Sequence, residues 1–222
     1  MRKLLNVLYV TTPESYLSKD GMNVVVSVDK EERFRIPIVN IEGIVTFGYM
    51  GSSPGLMKLC ADNGVALSFL SPNGRFIGRF QGPVHGNVLL RKAQYQIAED
   101  KEHALHYAQL FVAGKIQNYR TILQRFVRDN GSNLEVETAV KSLEVSKHWA
   151  LRTKEVPSLI GVEGDAANTY FGVFHNLLLH NREEFPFHGR NKRPPKDAVN
   201  ALLSFVYTLL AHEAAAALET VG

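Results

Sequence analysis

Ser71-Pro-Asn-Gly74-Arg-Phe-Ile-Gly-Arg-Phe80-Gln-Gly82-Pro83-Val-His-Gly-Asn87-Val-Leu-Leu-Arg-Lys-Ala-Gln-Tyr95 is the stretch in which this chain changes character. Ser71-Pro-Asn-Gly74 is a strong turn signal, because proline presets φ and glycine accepts a positive φ. Arg75 to Phe80 after it reads as a strand. Beyond Gly82-Pro83 the texture changes. From about Asn87 the chain runs without proline for long stretches, with apolar residues three and four apart.

Towards the N-terminus the strand pattern continues. Leu4 to Val10, Asn23 to Val28, Phe34 to Ile38, Ile44 to Phe47 and Val65 to Leu70 are short and rich in Val, Ile, Phe and Tyr. Lys19-Asp-Gly21 and Asp29-Lys-Glu-Glu32 suit hairpin turns. One helix interrupts them, with Ser53 as its cap, Pro54 at its first position and Gly64 as its stop. Towards the C-terminus, Leu105, Ala108, Val112, Ile116 and Tyr119 form an apolar stripe, and Asp129 to Asn133 breaks the first long helical region. Ser158, after Pro157, suits the cap of the next helix. Phe185 to Pro195 reads as a loop, and a last helix runs from Lys196 or Asp197 to about Glu219. The expected class is α+β: a β-rich region over residues 1–82, then a mostly α-helical region over 83–222.

Composition narrows the function classes. The 222 residues are 45% apolar and 21% charged, ordinary for a globular protein. The formal charge is +3, so contact with nucleic acid has to come from local patches rather than a global field. Cys60 is the single cysteine, in the apolar setting Leu56-Met-Lys-Leu-Cys60-Ala, which suits a small buried hydrophobe. No signal peptide is recognisable. The most apolar run, Ala201 to Ala211, is too short to span a bilayer. A cytoplasmic, non-membrane protein is expected. There is no P-loop and no dinucleotide glycine fingerprint, and His212-Glu213 lacks the second histidine of a zinc-protease helix, since Ala216 stands there. His175 and His180 are five apart, the wrong spacing to share one helix face.

Three groups of residues carry candidate chemistry. Glu163 starts a helical series with Ala167, Tyr170, Phe174 and Leu177. A carboxylate on an apolar stripe is costly unless paired or bound to a metal, although near a helix start it can also simply favour the helix dipole. On the last helix, Asn200, Ser204, Tyr207 and Thr208 make a small or polar stripe, suited to a tight helix seam or to the wall of a polar site. The loop before it holds Arg190, Lys192, Arg193 and Lys196, four cations in seven residues. They suit phosphate contacts or a solvated loop, and Pro194-Pro195 stiffens the connection. Lys115, Arg120, Arg125 and Arg128 form an earlier cationic series whose plainest reading is a solvated helix face.

These segments together resemble the CRISPR adaptation integrases of the Cas1 family, and within it the type I-C branch. The resemblance covers essentially the whole chain. Its most specific carriers are Gly161-Val-Glu163-Gly-Asp-Ala-Ala and Arg193-Pro-Pro-Lys-Asp-Ala-Val-Asn200-Ala-Leu-Leu-Ser204. Asn40-Ile-Glu-Gly-Ile-Val, Ser68-Phe-Leu-Ser-Pro-Asn-Gly-Arg-Phe and Gly86-Asn-Val-Leu-Leu-Arg-Lys-Ala-Gln-Tyr95 support them. It implies a β-rich dimerisation region followed by a helical catalytic one, and a metal-dependent DNA endonuclease and integrase. Such an enzyme inserts short foreign DNA into a CRISPR array by 3′-hydroxyl attack on a phosphodiester. It implies Mg²⁺ or Mn²⁺, DNA, a homodimer and the second adaptation protein, Cas2. Glu163 takes the family's glutamate ligand. The family's histidine and acidic ligands are expected beyond Gly222, so the chain reads as an inactive fragment of a longer enzyme, with exposed apolar surface on its last helices. The competing expectation is a non-catalytic DNA-binding and dimerisation module of the same fold.

Overall fold

The computed structural model describes residues 6–80, 82 and 88–221. Leu4, Leu5, Gly86, Asn87 and Gly222, which enter the sequence reading, lie outside the described residues. The architecture is α+β, with strands β1 (Val7–Val10), β2 (Tyr16–Asp20), β3 (Asn23–Val28), β4 (Glu31–Pro37), β5 (Gly43–Phe47), β6 (Gly51–Ser52), β7 (Ala66–Leu70) and β8 (Phe76–Phe80). Helix α1 (Pro54–Asp62) lies among them, and α2 (Val88–Glu99), α3 (Lys101–Asn130), α4 (Leu134–Ala150), α5 (Val156–Gly172) and α6 (Ala198–Val221) follow. The chain forms two units, Met1–Leu90 with Phe205–Gly222, and Arg91–Ser204.

The first unit holds two four-stranded sheets, ordered β1-β5-β7-β8 and β4-β3-β2-β6. Strands β5 and β7 are parallel, and α1 lies in the crossover that parallel pairing requires. Ser53 Oγ accepts from the Leu56 N–H at 3.2 Å to cap α1, and Gly64 closes it at φ 67°. Asp29 and Lys30 adopt φ 53° and 67°, so the β3–β4 turn takes two residues and Glu31 and Glu32 already belong to β4. A turn with positive φ at both positions matches the twist of the paired strands. Strands β2 and β6 carry no signal in the sequence. Tyr16–Asp20 is mostly polar, and β6 is two residues held beside β2. Leu17, Val24, Ile44, Leu56, Cys60 and Leu67 share one core, so α1 is buried against both sheets. Gly82 abuts α1: a Cβ there would stand 2.4 Å from the Ala61 Cβ.

The second unit is built on α3, α4 and α5. Asp100 Oδ1 accepts from the N–H groups of Glu102 and His103 to start α3, and Asn133 Oδ1 accepts from Val136 to start α4. The expected stripe of α3 faces this core: Ile116 and Tyr119 are buried, and Leu105, Ala108 and Val112 pack against it. Leu123, Val136, Leu143 and Leu159 complete it, with the small residues Ala139 and Ala166 also buried there. Ser158 does not cap α5. That helix starts three residues earlier, at Val156 after Glu155, with no side-chain cap, and Ser158 donates to Glu155 from its first turn. Proline near the start, which needs no N–H partner there, sets this boundary.

Helix α6 has the expected length, but its apolar window extends beyond the run Ala201 to Ala211. Its window Ala198–Ala215 has mean hydropathy 1.2 and is 11% buried, long and apolar enough to cross a membrane by length and composition. Its polar positions are engaged all the same. Asn200 is fully buried in hydrogen bonds, and further along Phe205 and His212 pack on Phe47 and Phe76 of the first unit. Leu202, Val206 and Leu210, spaced by four, are exposed.

Candidate functional site

Glu163 sits in the second turn of α5, in step with the buried residues Leu159, Ala166 and Tyr170. It is half-buried rather than core-facing, and the α-helical series counted from it ends at Gly172, before Phe174 and Leu177. Its Oε1 accepts from Lys115 Nζ of α3. Lys115 also lies over the Tyr119 ring, 5.6 Å from its centroid. Tyr119 in turn stacks on Tyr170, with centroids 4.1 Å apart and planes 7° from parallel. A carboxylate, an ammonium and two stacked phenols thus form one continuous group. The sequence reading placed Lys115 on a helix face and missed this pairing. No spacing rule joins residues 48 positions apart on different helices.

The second constellation is the junction of the basic loop with α6. Asn200 Oδ1 accepts from Arg190 Nη1 at 2.8 Å and from the Asn191 N–H at 3.0 Å. Asn200 Nδ2 donates to Gly189 O at 2.9 Å and to Asp197 Oδ2 at 2.7 Å. Arg190 Nη2 donates to Ser204 Oγ at 3.2 Å. Asp197 Oδ1 accepts the Asn200 N–H at 2.8 Å and so caps α6. Burial pushes the Asp197 carboxyl up, but hydrogen bonds from Asn200 and Asn191 and the nearby His188 outweigh it and hold it below the usual carboxylate range.

Arg190, Asn200 and Ser204 therefore come together, as their place at one loop–helix junction suggests. Arg190 spends its guanidinium inward. Lys192 and Arg193 are exposed. Tyr207 is exposed on α6 and belongs to the first unit. Asn191 and Asp197 were not singled out as site residues, although an Asp three residues before Asn200 at a helix start is a capping signal. The earlier cationic series is largely paired. Arg120 and Lys147 meet Glu144 at 2.8 and 2.9 Å, and Arg125 and Arg128 meet Asp129. The hydrogen bond from Lys147, helped by Arg120, lowers the Glu144 carboxyl against the effect of burial.

A hard divalent cation needs several oxygen ligands. Among the described residues no three His, Cys, Asp or Glu side chains gather into a metal-holding group, and the Glu163 carboxylate is held by an ammonium. These residues by themselves do not make a metal centre.

The family model described as CRISPR associated protein Cas1 matches residues 8–222. The chain belongs to the Cas1 family. A Cas1 relative from Chlorobaculum tepidum, named a CRISPR-associated endonuclease, is 45% identical over 225 residues, covering 100% of this chain and 66% of the relative. The chain thus spans about two thirds of that relative's length. Among solved structures, a Cas1 protein from Thermotoga maritima has a TM-score of 0.77 at 21% identity, over 97% of this chain and 65% of that one. A casposase bound to its integration product has a TM-score of 0.75 at 22% identity, over 98% of this chain and 62% of that one. At such identities these two likenesses bear on the Cas1 fold.

Proposed function

We propose that this chain is the larger part of a metal-dependent DNA endonuclease and integrase of CRISPR spacer acquisition, of the type I-C branch. The observation that carries this reading is the family match over nearly the whole chain, with 45% identity to a relative named as an endonuclease. The integration product held by the casposase of like fold favours strand transfer: a DNA 3′-hydroxyl attacks a phosphodiester, and one P–O bond forms as another breaks.

Glu163 is the catalytic carboxylate in this reading. It supplies one ligand for Mg²⁺ or Mn²⁺, whose other ligands come from outside the described residues. The metal's part in such chemistry is to neutralise charge on the phosphoryl oxygens. Lys192 and Arg193 hold backbone phosphates, and Arg190 shapes the loop that carries them. Residues 1–222 by themselves bind DNA without cutting it, a reading favoured by the lone carboxylate paired to Lys115. The β-rich region pairs two copies, Cas2 bridges such pairs, and the assembly works on DNA in the cytoplasm; family membership supports these three readings.

The test is strand transfer of a labelled DNA end into a CRISPR-array target by the protein containing this chain, with Mn²⁺ or Mg²⁺ and with the chelator EDTA. Glu163→Ala is expected to abolish transfer and leave DNA affinity within about twofold, because in this reading Glu163 holds the metal while the loop cations hold the phosphates. Full transfer by Glu163→Ala, or transfer indifferent to EDTA, overturns the reading. Cutting by residues 1–222 alone would place the remaining ligands within them.

A further inference from the structure

We propose that Asn200 is the positioning residue of the basic loop. It pins Gly189 and Asn191 to the start of α6, and this fixes Lys192 and Arg193 where they meet the phosphates of duplex DNA. The inference rests on the DNA-binding part of the proposed function.

The side chain of Asn200 is fully buried and uses its whole hydrogen-bonding capacity. Its oxygen takes two donors, from Arg190 and Asn191, and its nitrogen gives two hydrogens, to Gly189 and Asp197. Of these partners, three lie on the loop before Lys192. The far side of the loop is tied back to the same place. The Lys196 N–H donates to Asn191 Oδ1 at 2.6 Å, and Asn191 Nδ2 donates to Asp197 Oδ2 at 3.2 Å. The segment carrying Lys192 and Arg193 therefore spans two anchored points about one amide. An aspartate in place of Asn200 offers no Nδ2 donor, and an alanine offers nothing. The aspartate keeps acceptors for Arg190 and the Asn191 N–H but loses the bonds to Gly189 and Asp197, whereas with alanine Gly189, Asn191 and Arg190 all lose their common partner.

Two exposed cations on an anchored loop lose less freedom on meeting phosphates than the same cations on a loose one. Asn200 touches no DNA in this account; it acts through Lys192 and Arg193. That makes the proposal separable from a merely structural role, because its effect on binding should vanish when those two cations are gone.

The experiment is a double-mutant cycle read by fluorescence anisotropy on a fluorescein-labelled DNA duplex. Asn200→Ala is expected to weaken binding about tenfold, and Lys192→Ala with Arg193→Ala by a similar factor. The triple variant should bind no more weakly than the Lys192/Arg193 pair. Because Asn200→Ala can unfold the unit, Asn191→Ala, which loosens the same junction from its half-buried rim, is taken through the same cycle. Hydrogen exchange at amides 189–196 is followed without DNA and should quicken in both variants. Losses that add in full on top of the Lys192/Arg193 pair, or unchanged exchange, overturn the proposal. If the unaltered chain binds no duplex, the DNA-binding reading falls and this proposal with it, while the exchange data still show whether Asn200 holds the loop.

Discussion

Cys60 shows how surroundings decide the chemistry of one side chain. It lies on the inner face of α1, fully buried among Leu56, Leu59 and Leu67. Burial pushes its thiol up to about 11, so the nucleophilic thiolate is scarce near neutrality. Native protein at pH 8 should resist iodoacetamide, and protein in guanidinium should react within minutes. Mass spectrometry reads the difference, and rapid native alkylation would show that α1 opens far more readily than its packing implies. Glu163 is the opposite case. Its helix places it beside the buried stripe, and only Lys115, on another helix, makes that position comfortable for a carboxylate. Removal of an ion pair this exposed costs at most about 1 kcal/mol, so Glu163 variants are expected to fold.

Helix α6 shows at the scale of an element how one segment serves two surroundings. Its first turn is held by Asp197 and Asn200, and its later turns lie on β8. There His212 stacks on Phe76 at 4.4 Å, and its carbonyl accepts from Arg79 Nη2 at 2.6 Å. Burial lowers the affinity of His212 for a proton, Arg79 adds to this, and Glu213 opposes both. The unfolded chain takes up that proton near pH 6.5, and the folded chain resists it. The stability associated with neutral His212 is thus fully present above about pH 6.5 and is lost as the pH falls through its lower folded value. The melting temperature should therefore fall between pH 7 and 5.5, and fall less in His212→Gln. Parallel curves for the two proteins would show that the stacked imidazole is not protected from protonation.

For the whole molecule, the weak net charge of +3 makes binding depend on where the cations stand. Most of the α3 cations are spent on Glu144, Asp129 and Glu163, and Arg190 is spent on Asn200 and Ser204. Lys192 and Arg193 remain exposed on a tied loop. Charge reversal of both should flatten the plot of log affinity against log salt by about 2, since each phosphate contact contributes roughly 0.9 to the slope on duplex DNA. Anisotropy titrations between 50 and 200 mM salt, on the order of a thousandfold range in affinity for a many-contact binder, resolve such a change. An unchanged slope would move the DNA-binding surface elsewhere.

Local chemistry in the sequence determined much of this molecule. Alternating β-branched residues, Ser53-Pro54 with Gly64, Ser71-Pro-Asn-Gly74 and the stripe through Ile116 and Tyr119 depend on neighbours within a few positions, and each formed as its residues dictate. The family, too, was legible, because Gly161 to Ala167 and Arg193 to Ser204 are compact motifs. What lay outside the sequence's reach depends on groups brought together from afar. Tyr16–Asp20 becomes a strand because β3 pairs with it. Lys115 neutralises Glu163 across 48 positions, and Arg190, which any count of charge assigns to phosphate, turns inward because a buried Asn200 needs its donors. The sequence by itself set the fold class, the family and the residues worth suspecting. Tertiary structure alone decided which of those charges are already paired, since partners such as Lys115 and Glu163 stand on different helices and meet only when those helices pack.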